Sequence, residues 1–415
     1  MVGACTSGGA TTTTDTRGPI VTTPTTPATT PTTAVVATPS AAGPLIVWVS
    51  SEAVADAVIA QGAAYTAATG VEVFVWTIFS APDDDRLFLD ELLAGELGGA
   101  DPLAGPGGEE LPEQFRRAPD IFIGPHTWLE ELAEAGLADP VPLPDGLPGG
   151  VVPAVTLRGF PIGVPVALDT VVQFRNPALL AARPGDTADV ACAAEVACLL
   201  LPGDGDPDIH YPFLVAGGGY VFADHAEFGF DAGDVGVDTP PAIVSVVVLE
   251  AMIEGGGVAT AGDREDARAR FAAGEAALIW DGAAAVGALG TAVIEPLPTI
   301  AQNAPVAVVR VTAAWVNAAG TFKTEAAEFA GGYLGSVDGS TTIARALGMI
   351  PVWPDAATDV ERLFIDAADA GDPVPYIREA IVAWEALARA FASIHDGASA
   401  GTALTDAADT IRFQP

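Results

Sequence analysis

The sequence predicts an α/β fold, on the order of its apolar runs and the residues that punctuate them. Leu45-Ile46-Val47-Trp48-Val49 is a β-branched apolar run short enough for a buried strand, the first central one. Ser51 stands where a helix cap belongs, Val54, Val58 and Ile59 share one helical face, and Gly70 stands where a helix stops. Val71, Val73 and Val75 then alternate as a second strand. Strand, helix, strand is the opening of a right-handed unit with parallel pairing.

Residues 95–117 break the rhythm with Gly, Pro and acidic residues and read as a surface insertion. It resumes at Pro119-Asp120-Ile121-Phe122-Ile123-Gly124, followed by a helix from Trp128 to Ala135 and a stop at Gly136. Phe160 to Val166 and Thr170 to Phe174 read as strands that cross between lobes. Helices are predicted at 240–254, 263–273, 324–335, 375–395 and 402–412, and strands at Ala276 to Trp280 and Ala307 to Val316. The later part is thus helix-rich, and no fixed-period repeat is visible.

About 370 residues follow Gly43, too many for one small core and suited to two lobes with a cleft between them. Half of the residues are hydrophobic, yet no run approaches the roughly 20 apolar residues that cross a bilayer. The formal net charge is -37 and Lys323 is the sole lysine, so nucleic acid is excluded as a partner by repulsion over most of the surface. The acid excess fits a saline or alkaline habitat or a solubility device. His126, His210, His225 and His395 are scattered, so neither a structural metal nor a cofactor is expected.

Val2-Gly3-Ala4-Cys5 reads like a lipoprotein cleavage box. From Thr6 to Gly43 the only charged residues are Asp15 and Arg17, and the Thr/Pro/Ala run lacks apolar periodicity, so residues 1–43 are expected to be a disordered tether. Cys5 is either an incidental cysteine or the lipid-modified first residue of the mature protein; the second is the expectation, although the four residues before it are fewer than a secretory signal needs. Cys192 and Cys198 remain as an even pair. As a disulfide, expected in an oxidising compartment, they close a small loop worth roughly 2 kcal/mol; two free thiols are the alternative.

PDIFIGPHTWLEELAEAGLADPV, residues 119–141, resembles the strand, helix and turn of extracellular solute-binding proteins of the maltose and maltodextrin type. RGFPIGVPVALDTVVQFRNPALL is similar to the family's hinge-crossing region, and YPFLVAGGGYVF with DVGVDTPPA to its second-lobe core. ARFAAGEAALIWDG, IEPLPT and VPYIREAIVAWEALARAF follow in the same order, the last resembling the C-terminal helix that carries a ligand aromatic. The resemblance implies the two-lobed periplasmic-binding-protein fold, with hinge-crossing strands near Ala167 to Val171, Val293 to Pro296 and Tyr333 to Ser336. Its lobes would be residues 44–167 with 297–334, and 168–296 with 335–415. It also implies an ABC-importer lipoprotein outside the cytoplasm, monomeric, delivering a small solute, a sugar, to permease subunits.

Sugars need planar bidentate partners for their hydroxyls and aromatic faces for their rings. Asp169 falls on the family's acidic hinge residue, or is a solvated loop acid. Trp384 falls on its stacking tryptophan, though its helical spacing from Ile377, Ile381 and Leu387 also suits a core residue. Trp128 faces the cleft from the first lobe, or staples its own helix. Ser51 and Glu52, with Ser50, lie at a helix N-terminus where the family places polar contacts; a simple N-cap explains Ser51 as well. Asp206, Asp208 and Tyr211 form an acidic and aromatic second-lobe segment, or a solvated turn. Asp281 is a better ligand candidate than Trp280, whose apolar run suits the core. Gly124 and Ala284 stand where maltodextrin binders carry aromatic residues, so a shorter sugar, a different glycoside or a non-sugar solute competes with a long maltodextrin.

Two other classes compete with import. A secreted glycosidase needs two carboxylates, and 54 acids supply pairs trivially, but no particular pair is marked and no G-x-S-x-G elbow, metal-ligand run or phosphate loop occurs. The expectation is that the chain is not an enzyme. A surface sensor that keeps the binding fold without transport leaves no motif of its own.

Overall fold

The computed structural model describes residues 43–49, 51–77, 118–190, 197–225 and 229–413. Cys5, the Thr/Pro tract, Ser50, the insertion at 95–117 and Cys192 lie outside them.

The first elements follow the sequence pattern closely: β1 (Leu45–Val49), α1 (Glu52–Thr69), β2 (Val73–Thr77) and β3 (Ile121–Pro125). Ser51 Oγ accepts from the Val54 N–H at 3.3 Å, and Gly70 ends the helix in the left-handed region. A turn at His126–Trp128 leads into α2 (Leu129–Glu134); α3 (Val151–Ala154) precedes a hairpin of β4 (Thr156–Leu157) and β5 (Phe160–Pro161), and then come β6 (Gly163–Thr170) and β7 (Val172–Arg175). The run expected as one strand from Phe160 to Val166 is therefore two pieces. The Ile162 and Gly163 N–H groups turn to the Val155 carbonyl, which ends the hairpin before β6 begins.

Beyond Cys192 the chain forms β8 (Ala197–Pro202), α4 (Pro207–Val215), β9 (Phe222–His225), β10 (Gly229–Val235), α5 (Pro240–Glu254), β11 (Val258–Ala261), α6 (Arg264–Ala272), β12 (Ala276–Asp281), α7 (Ala284–Ala288) and β13 (Val293–Glu295). The final stretch holds β14 (Val308–Val316), α8 (Lys323–Phe329), α9 (Val337–Leu347), α10 (Asp359–Asp369), β15 (Asp372–Pro373), α11 (Glu379–His395) and α12 (Ala400–Arg412). Cys198 is disulfide-bonded and nearly buried.

Two sheets organise these elements. The first runs β15-β14-β3-β1-β2, with β6 on the other side of β14. β1 pairs in parallel with β2 and β3, whereas β14 runs antiparallel to both β3 and β6. The second runs β11-β8-β12-β7-β13, with a parallel core and β7 antiparallel to both neighbours. β12 is buried along its whole length, as its apolar run from Ala276 to Trp280 requires, and Asp281 at its end is buried with it.

Val171 alone separates β6 of the first sheet from β7 of the second. A second crossing joins β13 to β14. The helix α9, expected with the second lobe, packs on α1 and β6 of the first sheet instead. Ser340 Oγ donates to the Val166 carbonyl and accepts from the Val352 N–H, and Asp338 accepts from Gln61 of α1 at 2.9 Å. The last crossing comes only after β15, where the chain leaves the first sheet for α11. Asp120 pins the opening of the first sheet: fully buried, it accepts from the N–H groups of Ile46, Thr321 and Phe322.

Candidate functional site

Where β6 leaves the first sheet, Asp169 lies opposite Arg310 of β14 in the strand register. Asp169 Oδ1 accepts from the Thr170 N–H at 2.9 Å and the Ala283 N–H at 2.8 Å, the latter in the turn after β12 of the second sheet. That approach needs Gly282, because a Cβ there would sit 2.7 Å from Asp169 Oδ2. Burial pushes the Asp169 carboxyl up to about 6, against the pull of the two N–H groups.

Across from it, α4 begins with Asp206 as N-cap and Pro207 in the first turn, which places Asp208 and Tyr211 on one helical face. Asp208 binds Arg310 through two bonds, Nε to Oδ2 at 2.5 Å and Nη2 to Oδ1 at 2.9 Å. Trp384 of α11 donates its indole N–H to the same Oδ1 at 2.9 Å. Burial alone would raise the Asp208 carboxyl, but the Arg310 charge and the bonds from Arg310 and Trp384 outweigh it and hold the group below the usual carboxylate range. The Tyr211 ring lies nearly parallel to that of Trp384, at 6.3 Å, and its hydroxyl donates to Asp372 of β15.

Three of the predicted residues, Asp208, Tyr211 and Trp384, thus form one group that reaches the first sheet at Arg310 and Asp372. Asp169 stands beside it. Asp281 has a role inside the second lobe: 1% exposed, its carboxylate is engaged by both Nε and Nη2 of Arg268 and by the Gly282 N–H. Arg264 continues this network to Asp206 at 2.7 Å. Trp280 stacks on Phe213 in the core. Trp128 is also buried, 3% exposed, its ring filling the space a side chain at Gly124 would need. The missing aromatic and the buried tryptophan are one packing solution. Ser51 is engaged as the α1 N-cap, and Glu52 is exposed in the first turn; neither bonds to the Arg310–Asp208 group.

Arg310 was not among the predicted residues. Its signal was present, since it is the one charged residue in the apolar run from Val306 to Val316. His126 braces the same junction, accepting from the Val311 N–H at 3.1 Å and donating to the Val374 carbonyl at 2.9 Å. Next to Tyr376 a groove of about 240 Å³ opens between α3 with the β4–β5 hairpin and the β9–β10 hairpin, lined by Arg158, Asp224, His225 and Phe230 among others. Aromatic faces beside carboxylates and a guanidinium suit a polar, ring-bearing solute. Among the described residues no cluster of His, Cys, Asp and Glu is arranged to hold a metal ion, and no helix is long and apolar enough to cross a membrane.

Residues 112–369 match the family of bacterial extracellular solute-binding proteins. The chain belongs to that family. Two solved structures share the fold of this solute-binding protein. One is a cyclo/maltodextrin-binding protein complexed with maltotetraose, at 20% identity and a TM-score of 0.74, covering 89% of this chain and 96% of the other. The second is the extracellular solute-binding protein from Staphylococcus aureus in complex with maltose, at 19% identity and a TM-score of 0.74, with the same coverage of 89% and 96%. At such identities the likeness is one of fold. No curated protein matches the chain. The family is one of binding proteins that work outside the cytoplasm, and the two-lobed α/β fold expected from the sequence is the fold observed.

Proposed function

We propose that this solute-binding protein catches a carbohydrate, a short oligosaccharide of the maltose class, between its two sheets and delivers it to the permease subunits of an ABC importer. The observation that carries the reading is the Arg310–Asp208–Trp384 constellation, in which a guanidinium from the first sheet and an indole from helix α11 meet on one carboxylate. A solute lodged there touches both lobes, and its differential affinity favours the shut form that a permease would receive. Asp169, Asp208, Tyr211 and Trp384 are the ligand-binding residues of this proposal, with the neighbouring groove accommodating the rest of the solute. The chain acts as a binder and not an enzyme, as a monomer, held at the membrane by a lipid on Cys5 and by the Thr/Pro tract. Such a tether raises its effective concentration at the importer. Cys192 completes the disulfide of Cys198.

A thermal-shift screen over mono-, di- and trisaccharides, amino acids and polyamines tests the solute class. A saturating sugar is expected to raise the Tm by several degrees, on the order of the 3 kcal/mol that a ligand at 100 Kd confers. A shift with amino acids or polyamines and none with sugars would replace the carbohydrate reading by a non-sugar one. Fluorescence anisotropy against purified permease in nanodiscs then tests delivery: the sugar-loaded form should bind more tightly than the free one.

A further inference from the structure

Arg310 keeps 42% of its side chain exposed although Asp208, its ion-pair partner, is only 13% exposed. The guanidinium meets Asp208 along the edge carrying Nε and one Nη2 hydrogen, and Nη1 has no hydrogen-bond partner among the described residues. One face of a rigid donor fork is therefore held still while its other edge, with two parallel N–H groups, points away from the carboxylate. Two such donors match two acceptors lying side by side. A carboxylate and a pair of adjacent hydroxyls each present two neighbouring oxygens. The charges around Arg310 decide between them. Asp208 already neutralises it, and Asp169, opposite in the strand register, is met by backbone N–H groups and, among the described residues, by no bonded cation. Arg264 and Arg268 are occupied by Asp206 and Asp281. A second anion would enter a site without net positive charge, on a chain of net charge -37.

We propose that the free edge of Arg310 reads a pair of adjacent hydroxyls on a neutral sugar ring, and that this contact sets which sugars the cleft accepts. The inference rests on the sugar-binding reading above. Held by Asp208, the fork loses little freedom on binding, so its selectivity comes from geometry and not from charge.

Calorimetric titration of the wild-type chain with maltose, cellobiose, xylobiose and mannobiose first identifies the tightest neutral disaccharide. That sugar is then compared with its uronic-acid counterpart of the same linkage and with its deoxy analogue lacking one of the paired hydroxyls, on wild type, Arg310→Met and Arg310→Lys. The uronate and the deoxy sugar are each expected to bind wild type at least tenfold more weakly, and both variants to lose at least tenfold for the neutral sugar. Lysine restores the charge beside Asp208 but not the fork, so wild-type affinity in Arg310→Lys would reduce Arg310 to an ion-pair partner and overturn the proposal. Tighter binding of the uronate, or undiminished affinity in Arg310→Met, would overturn it as well. Arg310→Lys carries the test if the methionine variant does not fold. Failure of every disaccharide on the wild type would instead sink the sugar reading itself.

Discussion

Arg310 and Asp208 stand 102 positions apart, one on a strand of the first sheet and the other on a helix over the second, yet they share two hydrogen bonds of 2.5 and 2.9 Å. Among the described residues the pair is the most direct charged tie between the two lobes, and Trp384 joins it on the same oxygen. On the proposed function, closure and ligand recognition therefore meet on a single carboxylate.

Breaking that tie should loosen the free protein. We expect Asp208→Asn and Arg310→Met each to raise the radius of gyration of the ligand-free chain in small-angle scattering, and to lower its stability by about 1–2 kcal/mol, within the range of measured polar pairs that are partly exposed. Rising salt should expand the wild type in the same direction. An unchanged radius in both variants would show that other contacts hold the lobes together.

Trp384 is half-buried on α11, with its indole fixed by Asp208 and flanked by Tyr211. Trp384→Ala is expected to weaken solute binding by more than about 1 kcal/mol while far-ultraviolet circular dichroism and the cooperativity of unfolding persist. Loss of folding would make the tryptophan a core residue instead.

Asp169 should leave a signature in the pH dependence of stability. Burial raises its carboxyl from 3.8 to about 6, so the folded state holds the proton more tightly than the unfolded one. Its contribution is fully present below the unfolded value and is lost as pH rises from about 4 through 6, by at most roughly 3 kcal/mol. Asp169→Asn keeps an oxygen for the Thr170 and Ala283 N–H groups. Its denaturant-derived stability should fall less than that of the wild type between pH 4 and 7. Parallel curves would refute the assignment.

His210 and His395 form the opposite element. His210 Nδ1 faces the Asp206 carbonyl at 2.8 Å and must donate, which leaves its Nε2 as acceptor from His395 Nε2, 2.9 Å away, and makes His395 Nδ1 the acceptor from Thr260. Burial lowers both rings, His210 to about 3. A folded value below the unfolded 6.5 means stability present above that pH and lost as pH falls below it. Nitrogen-15 spectra at pH 7 should show the proton on Nδ1 of His210 and on Nε2 of His395. The reverse tautomers would contradict this network. Arg264 and Asp206 act on the pair from α6 and α4, and Asp204 and Asp396 from the adjoining loops. Because the pair clasps α4 to α11, its acid opening should loosen the helices that carry Asp208 and Trp384.

Local order was largely legible. The helix at 240–254 has the bounds its sequence predicts, and Ser51 and Gly70 bracket α1 as caps must, since capping depends on residues a few positions apart. The capping box of Thr358 and Glu361 was equally local and announces α10, an element the periodicity did not reveal. Asp281 shows the limit. Its place at the end of a strand suggested a ligand residue, but the Arg268 that engages it lies on the preceding helix, and sequence spacing does not tell which arginine an acid will meet.

By itself, the sequence determined the alternation of strands and helices, a length that suits two lobes, a strongly acidic net charge, and a resemblance to the family to which the chain belongs. The first three follow from periodicity, length and composition, which are properties of neighbouring residues or of sums over the chain, and the resemblance rests on short motifs that follow one another in the family's order. Only the tertiary structure decided that Arg310 meets Asp208, that Trp128 fills the space beside Gly124, and that α9 packs on the first sheet. Each of those depends on distances between segments far apart in the chain. Such distances are set by packing and strand register, and no local pattern encodes them.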